Sequence, residues 1–122
     1  MRRRSPRPSG STRTERGHAR IPNGLINAAS VLTYTRKGRP PRPIGAEAVA
    51  VYAVYAAYAS GETRHAWPAI DTIATTLNLS RTTVKRAIAA LVAAGWLTLV
   101  EKSRHHETAI YRVNMQPETV AQ

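Results

Sequence analysis

The 122-residue sequence contains no cysteine. That excludes disulfides, thiolate catalysis and cysteine-based zinc sites, and it suits a cytoplasmic protein. There is no apolar run near the length of a membrane span, so no transmembrane helix is expected. Nor does the N-terminus read as a secretory signal, because Arg2, Arg3 and Arg4 are followed by Ser, Pro and Gly rather than by an apolar stretch. Acidic residues are scarce: there are seven, scattered, with no close pair suited to acid–base work. No glycine-rich loop precedes a helix, so the signature of nucleotide hydrolysis is missing. Nothing points to an enzyme, and no cofactor is expected.

What is abundant is positive charge. Eighteen Lys and Arg give a net +11, and the excess is unevenly placed. Residues 1 to 45 hold ten Arg and Lys37 against one acid, Glu15, whereas residues 46 to 122 are almost neutral at +1. A basic leading segment on a near-neutral body points to a polyanionic partner, nucleic acid above all. The plainer alternative is a tail that only solubilises.

Residues 1 to 20 are rich in Arg, Ser, Pro and Gly and lack apolar periodicity. They cannot bury enough surface to offset their ordering entropy, so a disordered basic arm is expected. From Ile21 to Thr35, Leu25, Ile26, Ala29 and Leu32 fall at helical spacing behind an N-cap candidate, Asn23. This reads as a short helix or docking segment. RKGRPPRP then breaks the pattern, its prolines at 40, 41 and 43 arguing for a linker up to residue 45. The alanine-rich run from about Ala46 to Ala59 reads as a core helix. Its tyrosines, 52, 55 and 58, could stack bases, but packing is the simpler role at that spacing. Pro68 and Asp71 open a second, short helix whose apolar face is Ile70, Ile73, Ala74 and Leu77, ending at Asn78. Trp67 is expected to anchor the core at its entrance.

The third helix is specified at both ends, over 81 to 94. Ser80 is a good N-cap, with Leu79 and Val84 forming a hydrophobic staple across it. Gly95 suits a left-handed cap, with Leu91 and Trp96 in the positions that touch in a Schellman motif. At one hundred degrees per residue, Val84, Ala87, Ile88 and Leu91 share the core face. Thr82, Lys85, Arg86 and Ala89 point outward, and Arg81 and Thr83 lie in the first turn beside free amides. Threonine hydroxyls and cations at a helix N-terminus suit phosphate binding and base reading. An ordinary solvated face would look similar on a wheel. The small Ala89, Ala90 and Ala93 would let the helix lie close in a groove. A short helix, a three-residue turn (Asn78 to Ser80) and a capped second helix form a helix-turn-helix unit, whose second helix enters the major groove.

WLTLV, Trp96 to Val100, and TAIYRV, Thr108 to Val113, read as two strands. The tip between them carries Lys102, Arg104, His105 and His106, so the hairpin would be a basic wing touching phosphates or the minor groove. The expected fold is therefore mainly α with a small β-hairpin: a winged helix-turn-helix over residues 46–115, followed by a tail at 116–122. His105-His106-Glu107 is a weak metal candidate, since adjacent histidines diverge and no further ligand is near. No metal is expected.

The segment ATTLNLSRTTVKRAIAALVAAGWL resembles the winged helix-turn-helix of gluconate-repressor-type (GntR) regulators, in which a similar Ser/Thr-Arg-x-Thr cluster opens the recognition helix. The longer arrangement, IPNGLI, AVYAVYAAYAS, WPAIDTIATTLNLS and IYRV included, is similar to a broader group of bacterial, phage and plasmid winged-helix proteins. The resemblance covers roughly residues 21 to 114. It implies that Ser80, Arg81, Thr82, Thr83 and Lys85 contact DNA. Arg86 matches the wider pattern but is also suited to a structural ion pair. Only about nine residues follow the wing, so no effector-binding domain, and no small-molecule effector, is expected. The expected partner is double-stranded DNA, with Arg2, Arg3 and Arg4 of the arm added to the contacts. Because one small reading head specifies few base pairs, a homodimer through the first core helix or Ile21 to Tyr34 is anticipated. Transcriptional regulation and plasmid or phage replication or partition share this chemistry. A protein-interaction or RNA-binding module is the alternative of a different class.

Overall fold

The computed structural model describes residues 20–59, 61–102 and 108–117. The basic arm with Arg2, Arg3 and Arg4, and the wing tip with Arg104, His105 and His106, lie outside the described residues. Within the described residues four α-helices and two small antiparallel sheets follow in the order α1 (Asn23–Ala28), a 3-10 turn (Ala29–Val31), β1 (Thr33–Arg36), β2 (Arg39–Pro43), α2 (Gly45–Tyr58), β3 (His65–Ala66), α3 (Ile70–Leu77), α4 (Arg81–Ala93), β4 (Leu97–Glu101) and β5 (Ile110–Val113). β1 pairs with β2 alone, and the second sheet has the order β3-β5-β4.

α2 crosses the centre of the molecule. Ala48, Val51, Tyr52 and Tyr55 are buried on it, and Val84, Ala87 and Leu91 of α4 meet the same core, with Ile73, Leu97 and Val113. The tyrosines act by packing. Tyr52 stands edge-on to Trp96 with ring centroids 6.3 Å apart, and Tyr55 is edge-on to Tyr111 at 5.6 Å. Both are geometries that aromatic quadrupoles favour. Burial raises the hydroxyl pKa of Tyr52, Tyr55 and Tyr111 above the ordinary tyrosine value. For Tyr52 the Arg64 guanidinium pulls the other way.

Both ends of α4 form as the sequence indicates. Ser80 Oγ accepts from the Thr83 amide at 3.1 Å. At the other end the Trp96 amide donates to Leu91 O (2.9 Å) and the Gly95 amide to Val92 O (3.1 Å), with Gly95 at φ 88°. That is a Schellman motif with Leu91 and Trp96 both buried. The same motif ends α3: Asn78 sits at φ 57°, its amide donates to Thr75 O, and the Leu79 amide donates to Ala74 O. Leu79 therefore closes α3 and, one residue before the Ser80 cap, also opens α4.

Asn114 ties the wing to the helix pair. Its Nδ2 donates to Gly95 O and to Thr98 Oγ1, both at 2.9 Å, while its carbonyl oxygen accepts from the Tyr52 hydroxyl at 2.5 Å. The orphan carbonyl at the end of α4, the start of β4 and the middle of α2 thus converge on one side chain and its backbone. Three helices, α2 to α4, with the three-stranded sheet behind them form a winged helix-turn-helix.

Four features depart from the sequence reading. Trp67 is not a core anchor: it is 56% exposed, and the buried tryptophan is Trp96 at 3%. Pro68, not Trp67, fills the space at the entrance to α3. Asn23 is the first residue of α1 rather than its cap, a place taken by Pro22 with no side-chain cap bond. Of the apolar positions on this segment Leu25 and Leu32 are buried, while Ile26 is exposed. RKGRPPRP does not run as a linker; residues 33–36 and 39–43 pair as a hairpin, with Thr33 opposite Pro43 and Tyr34 opposite Arg42. Prolines cannot donate to a ladder but are tolerated on an edge strand, and β2 is one. Finally, β3 is a two-residue strand joined to β5 through His65–Arg112 and Ala66–Tyr111, and Arg64 Nε secures it by donating to Val113 O at 2.8 Å.

Candidate nucleic-acid interface

α4 stands as a ridge. Val84, Ala87, Ile88 and Leu91 are buried, whereas Thr82, Lys85, Arg86, Ala89 and Ala93 are exposed. Ala90 is 4% exposed, so it does not belong to the free stripe of small residues. It lies on the flank of α4 that faces β1, and with Thr33 and Tyr34 it helps to line a groove of about 420 Å³ along that flank. The other flank has its own groove of about 410 Å³, walled by Ile70 and Tyr111. Lys85 and Ala89 border both.

The residues expected to meet a ligand fall into two groups. Ser80 and Thr83 are engaged in the cap: beside the amide bond, the Ser80 hydroxyl donates to Thr83 Oγ1 at 2.9 Å. Arg81 is ion-paired with Asp71 from the first turn of α3. Both side chains remain more than half exposed, so the pair orients Arg81 at the surface rather than withdrawing it. Arg86 has no acid partner among the described residues. Its guanidinium lies 4.6 Å from the centre of the Tyr34 ring, and its Nη1 donates to the Tyr34 hydroxyl at 3.3 Å. Thr82 and Lys85 make no side-chain hydrogen bond or ion pair within the described residues and project from the ridge. Lys102 is exposed at the end of β4, next to Glu101.

Sequence reasoning missed Tyr34 and Asp71 as partners of this face. The basic run was visible, but its prolines suggested a linker. Asp71 was read only as a dipole partner of its own helix. Its contact with Arg81 depends on the tight turn folding α3 back against α4.

A family model described as a helix-turn-helix domain matches residues 43–97. Residues 43–97 are a helix-turn-helix domain. The match spans α2, α3, the Asn78–Ser80 turn and α4, ending at the first residue of β4. No curated protein and no solved structure matches the chain. A helix-turn-helix domain points to DNA binding. Among the described residues no helix is long and apolar enough to cross a membrane.

Proposed function

We propose that the chain is a sequence-specific duplex-DNA-binding protein that regulates transcription. α4 reads the major groove through Thr82, Lys85, Arg86 and Arg81, with Ala89 giving close approach. Ser80 and Thr83 shape the N-terminus of the helix, where free amides face a phosphate. Lys102, with Arg104 and His105 of the wing tip, meets the backbone beside that groove, and Arg2, Arg3 and Arg4 of the arm follow phosphates or the adjacent minor groove.

The observation that carries this reading is the ridge itself: a helix capped at both ends whose outward face bears exposed cations and a hydroxyl, with grooves on either side. A protein-docking face would sooner be poor in charge at its centre.

Selection of bound duplexes from a random pool tests it. A defined motif is expected, with two-fold symmetry if two copies bind. Mapping that motif to promoters supports transcriptional control, and iterated copies at an origin would replace it with replication or partition. Duplex binding no tighter than RNA binding would overturn the DNA reading.

A further inference from the structure

The β1–β2 hairpin lies against the flank of α4 opposite the β4–β5 wing. Tyr34 of β1 packs on Arg86, and Ala90 is buried on the side facing this strand. Residues 33 to 43 contain three Arg and one Lys and no acid. Lys37, Arg39 and Arg42 are exposed, with no ion pair among the described residues. The wing, by contrast, places Glu101 next to Lys102.

The hairpin is also built to hold its shape. Gly38 turns the chain with φ +71°, in open space. Pro40, Pro41 and Pro43 fix their own φ angles and leave β2 with few N–H groups. They disfavour, along β2, the strand addition by which an exposed edge recruits a peptide, since a ladder needs those donors. A stiff, acid-free projection with exposed cations beside a reading helix fits one partner, a polyanionic backbone.

We propose that this hairpin is a second wing: Lys37, Arg39 and Arg42 contact phosphates of the same duplex that α4 reads, on the flank opposite the β4–β5 wing. This rests on the DNA reading of α4 and adds to it. All of the hairpin but Pro43 lies ahead of the segment that matches the helix-turn-helix family, so the second grip is an addition to that unit. The duplex is held on both sides of its major groove, and Tyr34 links the second wing to the helix by holding Arg86 in place.

Two measurements on the full chain test this, with the duplex selected as above. The first is the salt dependence of binding by the triple variant Lys37→Gln, Arg39→Gln and Arg42→Gln, with its folding checked by circular dichroism. Each lost phosphate contact flattens the log–log slope by about 0.9, so a change of about 2 to 3 is expected, with the sequence motif retained. The second exploits the absence of cysteine: Lys37→Cys and, separately, Lys102→Cys carry an iron–EDTA cleavage reagent. Cuts from the two positions are expected on opposite flanks of the motif. An unchanged slope, or cutting from 102 but not from 37, overturns the second wing and leaves the reading of α4 standing. If the unmodified chain binds no duplex, both fall.

Discussion

The Arg86 guanidinium lies 4.6 Å from the centre of the Tyr34 ring and donates to the hydroxyl of the same tyrosine at 3.3 Å. A cation on α4 is thereby held by a residue 52 positions earlier, outside the helix-turn-helix segment. Exposed cation–π contacts contribute about 0.5–1 kcal/mol. Tyr34→Ala should therefore weaken binding to the selected duplex a few-fold, and Tyr34→Phe, which keeps the ring, should lose less. Fluorescence-anisotropy titration checks the order of the two.

Arg81 and Asp71 make opposite predictions. Arg81→Ala should cost on the order of 1–3 kcal/mol of discrimination if Arg81 makes a bidentate guanine contact. Equal losses on selected and random duplexes would make it a backbone contact. Asp71→Asn removes an acid from the binding face and unties Arg81, so binding to random duplex should tighten while the preference for the motif shrinks. Stability should change by less than about 1 kcal/mol, since the pair is exposed.

The arm is tested by deletion. With about 6 phosphate contacts the log–log salt slope should lie near −5. Removing residues 1 to 20 should flatten it and spare sequence preference. An unchanged slope would place the arm away from the DNA.

Asn114→Leu should cost about 1–3 kcal/mol, because the carbonyl of Gly95 is left without its side-chain donor in a buried setting. A thermal melt checks it. The loss should appear as a lower Tm, with the far-ultraviolet spectrum of the folded state unchanged.

The buried tyrosines set an alkaline limit. Tyr52, Tyr55 and Tyr111 have folded-state pKa values above the ordinary 10.0. The folded state therefore holds their protons more tightly than the unfolded chain does. Their contribution is fully present below pH 10 and is lost as pH rises beyond it. Tyr55→Phe should move the midpoint of alkaline unfolding upward, read by circular dichroism against pH.

The legible parts of the fold were those written locally. Ser80, Gly95 and Asn78 are signals within a few residues of the structure they specify, and both ends of α4 formed accordingly. The core face Val84–Ala87–Ile88–Leu91 followed from periodicity. What stayed hidden depends on distant partners. β3 exists only because β5 pairs with it, and Trp67 and Trp96 are indistinguishable by type, although the second is buried edge-on to Tyr52 and the first is exposed. The prolines at 40, 41 and 43 exclude a helix but not an edge strand, so the hairpin was read as a linker. In the candidate site the outward residues of α4 were legible, while their partners Tyr34 and Asp71 were not, because neither lies on that helix.

Leu79 belongs at once to the end of α3 and to the start of α4, so the two helices share one hinge-free joint. On the proposed DNA reading, that short joint sets how α4 is presented relative to α3. If α4 reads DNA as proposed, changes of sequence preference are expected from substitutions at 82, 85, 86 and 89, and loss of the fold from substitutions that break the caps at 78 to 80.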